Sequence, residues 1–361
     1  MTQGPFPGAT VWRGPRLSLP TPTYSFPIMK HARVLLWLLL LACITPLLSC
    51  SDDDTDADTE IVGDWTSRSQ FEGLARNSAV SFTLNGKGYV GLGTDGVDRF
   101  KDFWEYTPGT NTWRQVADFP GAARIQAVAF TAGGKGYVGT GYDGTNKLKD
   151  FYAYDPAANK WTKVADFAGT ARYGAVALGI EDKGYVGTGY DGNFKKDFWQ
   201  YDPSTDQWTQ KPSFGGNKRV GAAAFTLHET GYVLAGSDND LILSDMWAYN
   251  PATEQWTERH SLTNNTDEDY DYSSVPRTSA STFVVNNRGF IALGTNGGYL
   301  TSCWEYNPDD DTWVAKTTFE GAARIQAVGF GLGDYGYLGL GTTGSTRLDD
   351  FWQLSPDAES E

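Results

Sequence analysis

Three cysteines, three histidines and three methionines are all that this 361-residue chain contains. Cys43, Cys50 and Cys303 are too few for a disulfide framework or a thiolate zinc site. The chain has no sustained stripe of helical periodicity, which argues against a helical bundle. Its one long apolar run, Val34 to Leu48, is short for a membrane span. Basic charge is also scarce: 29 Lys and Arg stand against 44 Asp and Glu, a net charge of −15. Four of the basic residues (Arg13, Arg16, Lys30 and Arg33) precede Cys50, where no acidic residue occurs, so from Cys50 onward 25 basic residues face 44 acidic ones. A surface of that sign repels phosphate backbones, so no nucleic-acid partner is expected.

What the chain has in plenty is glycine, 42 residues, and aromatic side chains, at 14%. That pairing favours short strands and tight turns. The ten residues "KGYVGTGYDG" occur twice, from Lys135 and from Lys183, 48 residues apart. Tryptophan follows the same beat at Trp65, Trp113, Trp161, Trp208, Trp256 and Trp313, with intervals of 48, 48, 47, 48 and 57. A sustained period near 48 means that the fold is built repeat by repeat.

One unit, Ala123 to Phe167, holds four strand signals: "RIQAVAFT", "KGYVGTG", "DFYAY" and "KWTKVA". The breaks between them are rich in Gly, Asp, Asn and Pro, the chemistry of tight reversals. Four antiparallel strands in a unit of this length predict a propeller blade. The last repeat has three strands, "RIQAVGFGLG", "YGYLGLG" and "DDFWQLSP", and no tryptophan strand, whereas Trp65 has no strands before it. The N-terminal segment Trp65 to Gln70 is therefore predicted to be the fourth strand of the blade begun at Arg324, closing an all-β, six-bladed ring with no open edge.

"KGYVGTG" and "KDFWEYTPGTNTW", from Lys101 to Trp113, carry a resemblance. The glycines, the aromatic strand, the Tyr-Asp-Pro turn and the tryptophan resemble the kelch repeat over roughly residues 61–356. The adjacent glycine pair of that motif stands here as Gly-x-Gly, as at Gly139 and Gly141. The resemblance implies a six-bladed kelch-type propeller similar to the central domain of the galactose oxidases.

The N-terminus reads as an address. Residues 1–28 look like an upstream extension ahead of Met29, and residues 29–49 like a secretory signal with a short basic start and an apolar middle. The ending "LLSC" resembles a lipobox, which implies cleavage after Ser49 and lipidation of Cys50. Residues 50–60 then form an acidic tether that cannot bury a core, and residues 357–361 a tail. The tether resembles export tags of surface lipoproteins, so the expectation is lipid anchoring at the outer membrane, facing outward.

Each repeat opens its inner strand with an arginine: Arg76, Arg124, Arg172, Arg219, Arg277 and Arg324. Strand alternation puts these loops on one face with the loops after the second strands, which hold Asp95, Asp143, Asp191, Asp238, Asn296 and Thr343. Two readings stand side by side. Six guanidiniums near one rim can bind an acidic ligand, with Asp143 and Asp191 beside them. Alternatively the arginines pair with loop carbonyls or nearby aspartates, as a motif shared across a fold would. The Lys-Asp pairs ahead of the third strands read as turn chemistry.

The repeat breaks once. Five tryptophan-to-arginine gaps are 11 residues and the gap from Trp256 to Arg277 is 21. The extra residues lie in "LTNNTDEDYDYSSV", where Asp267, Asp269, Tyr270, Asp271 and Tyr272 are candidates for a selectivity loop. The alternating aspartates could seat Ca²⁺, although no Gly or terminal Glu completes such a loop. No catalytic residue and no other metal or cofactor is indicated. Galactose oxidases need histidine ligands and a cysteine-linked tyrosine, but only His228 and His260 follow the signal, and Cys303 stands in register with Phe103, Phe151, Phe198, Met246 and Phe351. The expected function is a non-catalytic, monomeric binding module for an extracellular glycan, acidic ligand or protein. The alternatives are a sugar-converting enzyme of the sialic acid mutarotase type and a purely structural surface protein.

Overall fold

The structure, a computed structural model, describes residues 62–263 and 270–359. The signal, Cys50 and the tether lie outside the described residues, as do Asp267 and Asp269 of the insertion. Among the described residues all regular structure is β, in six four-stranded antiparallel sheets and two small hairpins. Blade one is Val80–Leu84, Lys87–Gly91, Phe103–Thr107 and Thr112–Val116, paired in chain order. Blades two to five repeat that order. Blade six is Val328–Leu332, Tyr335–Gly339 and Phe351–Ser355, and its fourth strand is Asp64–Ser67.

The predicted closure is thus present, with Trp65 opposite Leu354 and Ser67 opposite Trp352. The strand begins one residue earlier than the sequence suggested and ends sooner. Arg68 still donates its N–H to the Phe351 carbonyl, but Ser69 N–H turns to the Asn111 side chain of blade one. Residues 357–359, the described part of the tail, make contacts with the ring. Gly63 donates to the Ala358 carbonyl, and Arg288 pairs with Asp357 at 2.7 Å.

Two contacts repeated around the ring explain the composition. In five blades a first-strand phenylalanine packs on a second-strand glycine of the next, and in blade three Leu178 takes that place against Gly231. A Cβ at Gly184 would stand 2.0 Å from the Phe130 ring, so any side chain there would force the blades apart. Within a blade, the second strand matches the third by volume. Gly91, Gly139, Gly187 and Gly339 face Phe103, Phe151, Phe198 and Phe351, whereas Leu234 faces Met246 and Ala292 faces Cys303. Cys303 therefore fills a core slot. It is buried, and burial pushes its thiol up to about 12, which makes it inert. The periodic tryptophans join neighbours: Trp161 Nε1 donates to the Ala117 carbonyl of the preceding blade at 2.9 Å, and Trp65, Trp113, Trp208 and Trp256 do the same one blade along.

Candidate functional site

Strand alternation places two loop sets at one end of the ring, and the structure joins them. Antiparallel bridges link Asn77 to Thr94, Ile125 to Tyr142, Tyr173 to Tyr190, Val220 to Ser237, Thr278 to Thr295 and Ile325 to Thr342. This end is called the upper face below. Four of the large exposed apolar side chains, Leu74, Val97, Leu241 and Tyr299, lie on it.

The six arginines enter from this face and then disappear into it. Arg76, Arg124, Arg172, Arg219, Arg277 and Arg324 are all fully buried. Arg124 shows the pattern. Its Nη1 and Nη2 grip Asp150 at 2.7 and 2.8 Å, Nη1 also reaches the Thr140 carbonyl, and Nε reaches Ala122. Its guanidinium lies 4.9 Å from the Phe119 ring centroid. Arg76, Arg172 and Arg324 repeat the two-pronged grip on Asp102, Asp197 and Asp350, and Arg219 holds Asp245 through Nη2. Asp102, Asp150 and Asp197 come from the Lys-Asp pairs of the sequence, and Asp245 and Asp350 hold the same position after Ser244 and Asp349, so the pairs are more than turn chemistry. Burial pushes the Asp102, Asp197 and Asp350 carboxyls up, but the guanidinium bonds outweigh it and leave each below the ordinary range. The second reading of the arginines is thus the one observed: they clamp the blades and present no guanidinium to a ligand in the channel.

Blade five departs from this pattern. Ser302 stands where the other blades carry aspartate, and Leu262 where they carry the stacking phenylalanine. Among the described residues Arg277 is met by neutral oxygens alone: Ser302 Oγ and the carbonyls of Val275, Leu293, Ser274 and Ser302. Burial pushes its guanidinium down to about 10. Trp304 Nε1, which in blades one, three, four and six would donate to the aspartate, is buried without a partner.

The described part of the insertion folds back onto the ring. Tyr272 is buried in a cluster with Leu262, Val275 and Trp313, and Tyr270 packs on that cluster while stacking on Tyr272 at 4.8 Å and on His260 at 5.8 Å. Tyr272 is thus buried in the core and Tyr270 half-buried against it, covering apolar surface that the longer connection exposes. Asp271 is exposed, and its carboxylate accepts the Ser273 N–H.

Two residues on from each arginine, a ring of peptide groups surrounds the mouth of the channel. Ser78, Gln126, Gly174, Gly221, Ser279 and Gln326 each take a left-handed backbone, with φ between 51° and 63°. Each N–H donates to the carbonyl of the same position one blade back, at 3.0 to 3.2 Å, until Ser78 donates to Gln326 and the circle closes. The four non-glycine residues hold a conformation costly for L-residues, and the closed bonding pattern compensates. Below this ring the channel is lined by small side chains such as Ala79, Ala127, Ala175, Ser81, Ala129 and Thr282.

The mouth is lopsided. On one side Gln326 accepts from Ser78 Oγ at 2.9 Å and from the Asn77 amide. On the other, Gly174 and Gly221 leave the rim low. Next to that gap four aromatic rings form an arc: Tyr142 to Tyr173 at 5.8 Å, Tyr173 to Tyr190 at 5.6 Å, and Tyr190 to Phe194 at 5.2 Å. All four are half-buried. Lys147 lies over Tyr190, Lys218 over Phe194 and Arg99 over Tyr142, each about 6 Å from the ring. A cavity of about 370 Å³ opens between Tyr173 and this rim.

Asp143 and Asp191 sit at the base of the arc and order its loops. Asp143 accepts the N–H groups of Thr145 and Asn146, which holds it below the ordinary range. Asp191 is raised by burial but lowered further by the Thr170 hydroxyl, the Asn193 N–H and Lys195, to about 2. The sequence reading missed the aromatic arc. Its signal was departure from the repeat: Tyr142 and Tyr190 stand where other blades have Thr94, Ser237, Thr295 and Thr342, and Tyr173 where others have Asn77, Ile125, Val220, Thr278 and Ile325. Among the described residues no cluster of three or more potential metal ligands forms.

Comparison with known proteins agrees with the fold. The kelch motif model matches residues 137–168, 171–215 and 218–260, which are blades two, three and four. The solved structure of YjhT superposes with a TM-score of 0.65 and 17% identity, covering 78% of this chain and 95% of that one. It is among 715 matching chains of solved structures, and a fold so widely used leaves function to the site. No curated protein matches the sequence. The chain is a six-bladed β-propeller carrying kelch motifs.

Proposed function

We propose that the protein is a non-catalytic module that binds an extracellular glycan at the upper mouth of the propeller. The observation that carries this reading is the arc Tyr142, Tyr173, Tyr190 and Phe194 beside the low rim at Gly174 and Gly221. Flat aromatic faces next to fixed polar groups suit a sugar ring, which has an apolar face and a hydroxyl edge. Binding rather than turnover is favoured because Asp143 and Asp191, the carboxylates beside the arc, are engaged in ordering its loops, whereas sugar conversion needs an acid–base pair aimed at the ligand. The module acts as a single copy, held at the outer membrane by lipid on Cys50 and facing the medium.

Two experiments test this. A glycan array followed by titration should find saturable binding that Tyr142→Ala with Tyr190→Ala weakens by about 30-fold, or about 2 kcal/mol for two lost stacking faces. Unchanged affinity in that variant would move the site elsewhere. For the anchor, Cys50→Ala should shift the protein from the membrane fraction to the soluble fraction, and retention at the membrane would refute lipidation at Cys50.

A further inference from the structure

The arc does not end at the mouth. Beyond Phe194 a cavity of about 550 Å³ lies between blades three and four, lined by Lys195, Lys196, Asn217, Lys218 and Asp238. A second, of about 340 Å³, adjoins it and shares Lys196 and Asn217. Glycine opens this second space. Gly215 occupies the position held by Glu72, Pro120, Ala168 and Glu320 in other blades, and a Cβ there would stand 2.3 Å from the Trp247 ring. Tyr173 lines the mouth cavity and Phe194 the first of these two, so the arc links the mouth to both cavities along a radial groove.

The groove has its own charge pattern within a chain of net charge −15. Asp197 is gripped by Arg172, and Lys195 pairs with Asp191 at 3.1 Å. Lys218 meets Asp238 at 4.0 Å, the limit of an ion pair, and half of its side chain is exposed. Lys196 contacts the Gly216 carbonyl at 3.5 Å and has no carboxylate within ion-pair distance among the described residues. In the adjoining cavity Asp245 Oδ1 is buried without a partner, an acceptor left for a hydroxyl. Glu258 lies at the far wall.

We propose that this groove takes an extended oligosaccharide bearing carboxylates. One sugar stacks on the arc at the mouth, and an acidic unit further out meets Lys196 and Lys218. This rests on the glycan reading above and adds ligand length and charge to it. A cation lining a cavity without a carboxylate partner favours an anionic group there, and the exposed position makes the interaction salt-sensitive.

The test uses an array of uronic-acid oligosaccharides of one to six units, each beside its methyl-esterified counterpart, followed by titration of the protein and of Lys196→Ala with Lys218→Ala. The expected result is affinity that rises with length, falls about tenfold on esterification, and drops in the lysine variant to the level of the ester. Equal binding of acid and ester, or no gain with length, would overturn the proposal. Neutral glycans bound through Tyr142 and Tyr190, with the uronates ignored, would overturn it while leaving the glycan reading intact. No glycan bound by either protein would end both.

Discussion

Two layers of the upper face lie within a few residues of each other and differ in kind. The arginine layer is nearly the same in every blade, buried and bonded inward. The loops beside it change from blade to blade, and in blades two to four they carry Tyr142, Tyr173, Tyr190, Phe194 and the lysines. Repeated residues hold the ring together because every blade has the same mechanical task. A ligand breaks the symmetry of the ring, so the residues that read it must break the symmetry too. Blade five sharpens the contrast, since it keeps the arginine but has lost the aspartate and the phenylalanine that serve it elsewhere.

The largest effect should come from the arginine layer. Arg172→Ala leaves Asp197 half-buried without its cation, and loss of one member of such a pair costs about 3–5 kcal/mol. Chemical denaturation should show that loss directly, and a stable Arg172→Ala protein would mean that the clamp is not structural.

Blade five supplies the converse. Ser302→Asp restores a carboxylate to Arg277 and gives Trp304 Nε1 an acceptor, so it should raise stability by about 1–2 kcal/mol. A decrease would indicate that the space is already filled by the present packing.

Acid provides a milder probe. Asp102, Asp197 and Asp350 are held below the ordinary aspartate range by their guanidinium partners, so their stabilisation is complete above that range and is lost as pH falls through the lower folded values. The melting temperature should therefore hold through mild acid and fall below about pH 4. In Ser302→Asp the same fall should be steeper, because one more such carboxylate titrates. The smallest effect is expected opposite the arc: Gln326→Ala should cost about 1 kcal/mol of stability through two lost hydrogen bonds and leave ligand affinity unchanged. A loss of affinity there would spread the site around the whole mouth.

Much of the architecture was legible because it is periodic. Six tryptophans in register and the missing fourth strand after Ser355 were enough to place Trp65 in the last blade, and Cys303 could be assigned to a core slot from its register alone. The arginines were harder. Their partners Asp102, Asp150, Asp245 and Asp350 lie 26 residues downstream, and Asp197 lies 25 downstream of Arg172. The pairing forms only when the segments leading into the first and third strands of a blade meet, so neither segment announces it locally. The insertion is legible only in part, for a related reason. Tyr270 and Tyr272 sit among acidic residues that suggest solvent, but the apolar surface they cover comes from Leu262, Val275 and Trp313, distant in sequence or hidden behind the loop. The arc was visible only as a set of exceptions, which carry meaning once the repeated residues have been explained.

The most direct measurement is a paired one on Tyr142→Ala with Tyr190→Ala: melting temperature and glycan titration on the same preparation. The account predicts a midpoint within about 3 °C of the parent, the shift expected for less than 1 kcal/mol in a domain of this size, together with affinity reduced by at least tenfold. Full affinity in that variant, or a collapse of the fold from changing residues outside the repeated pattern, would contradict it.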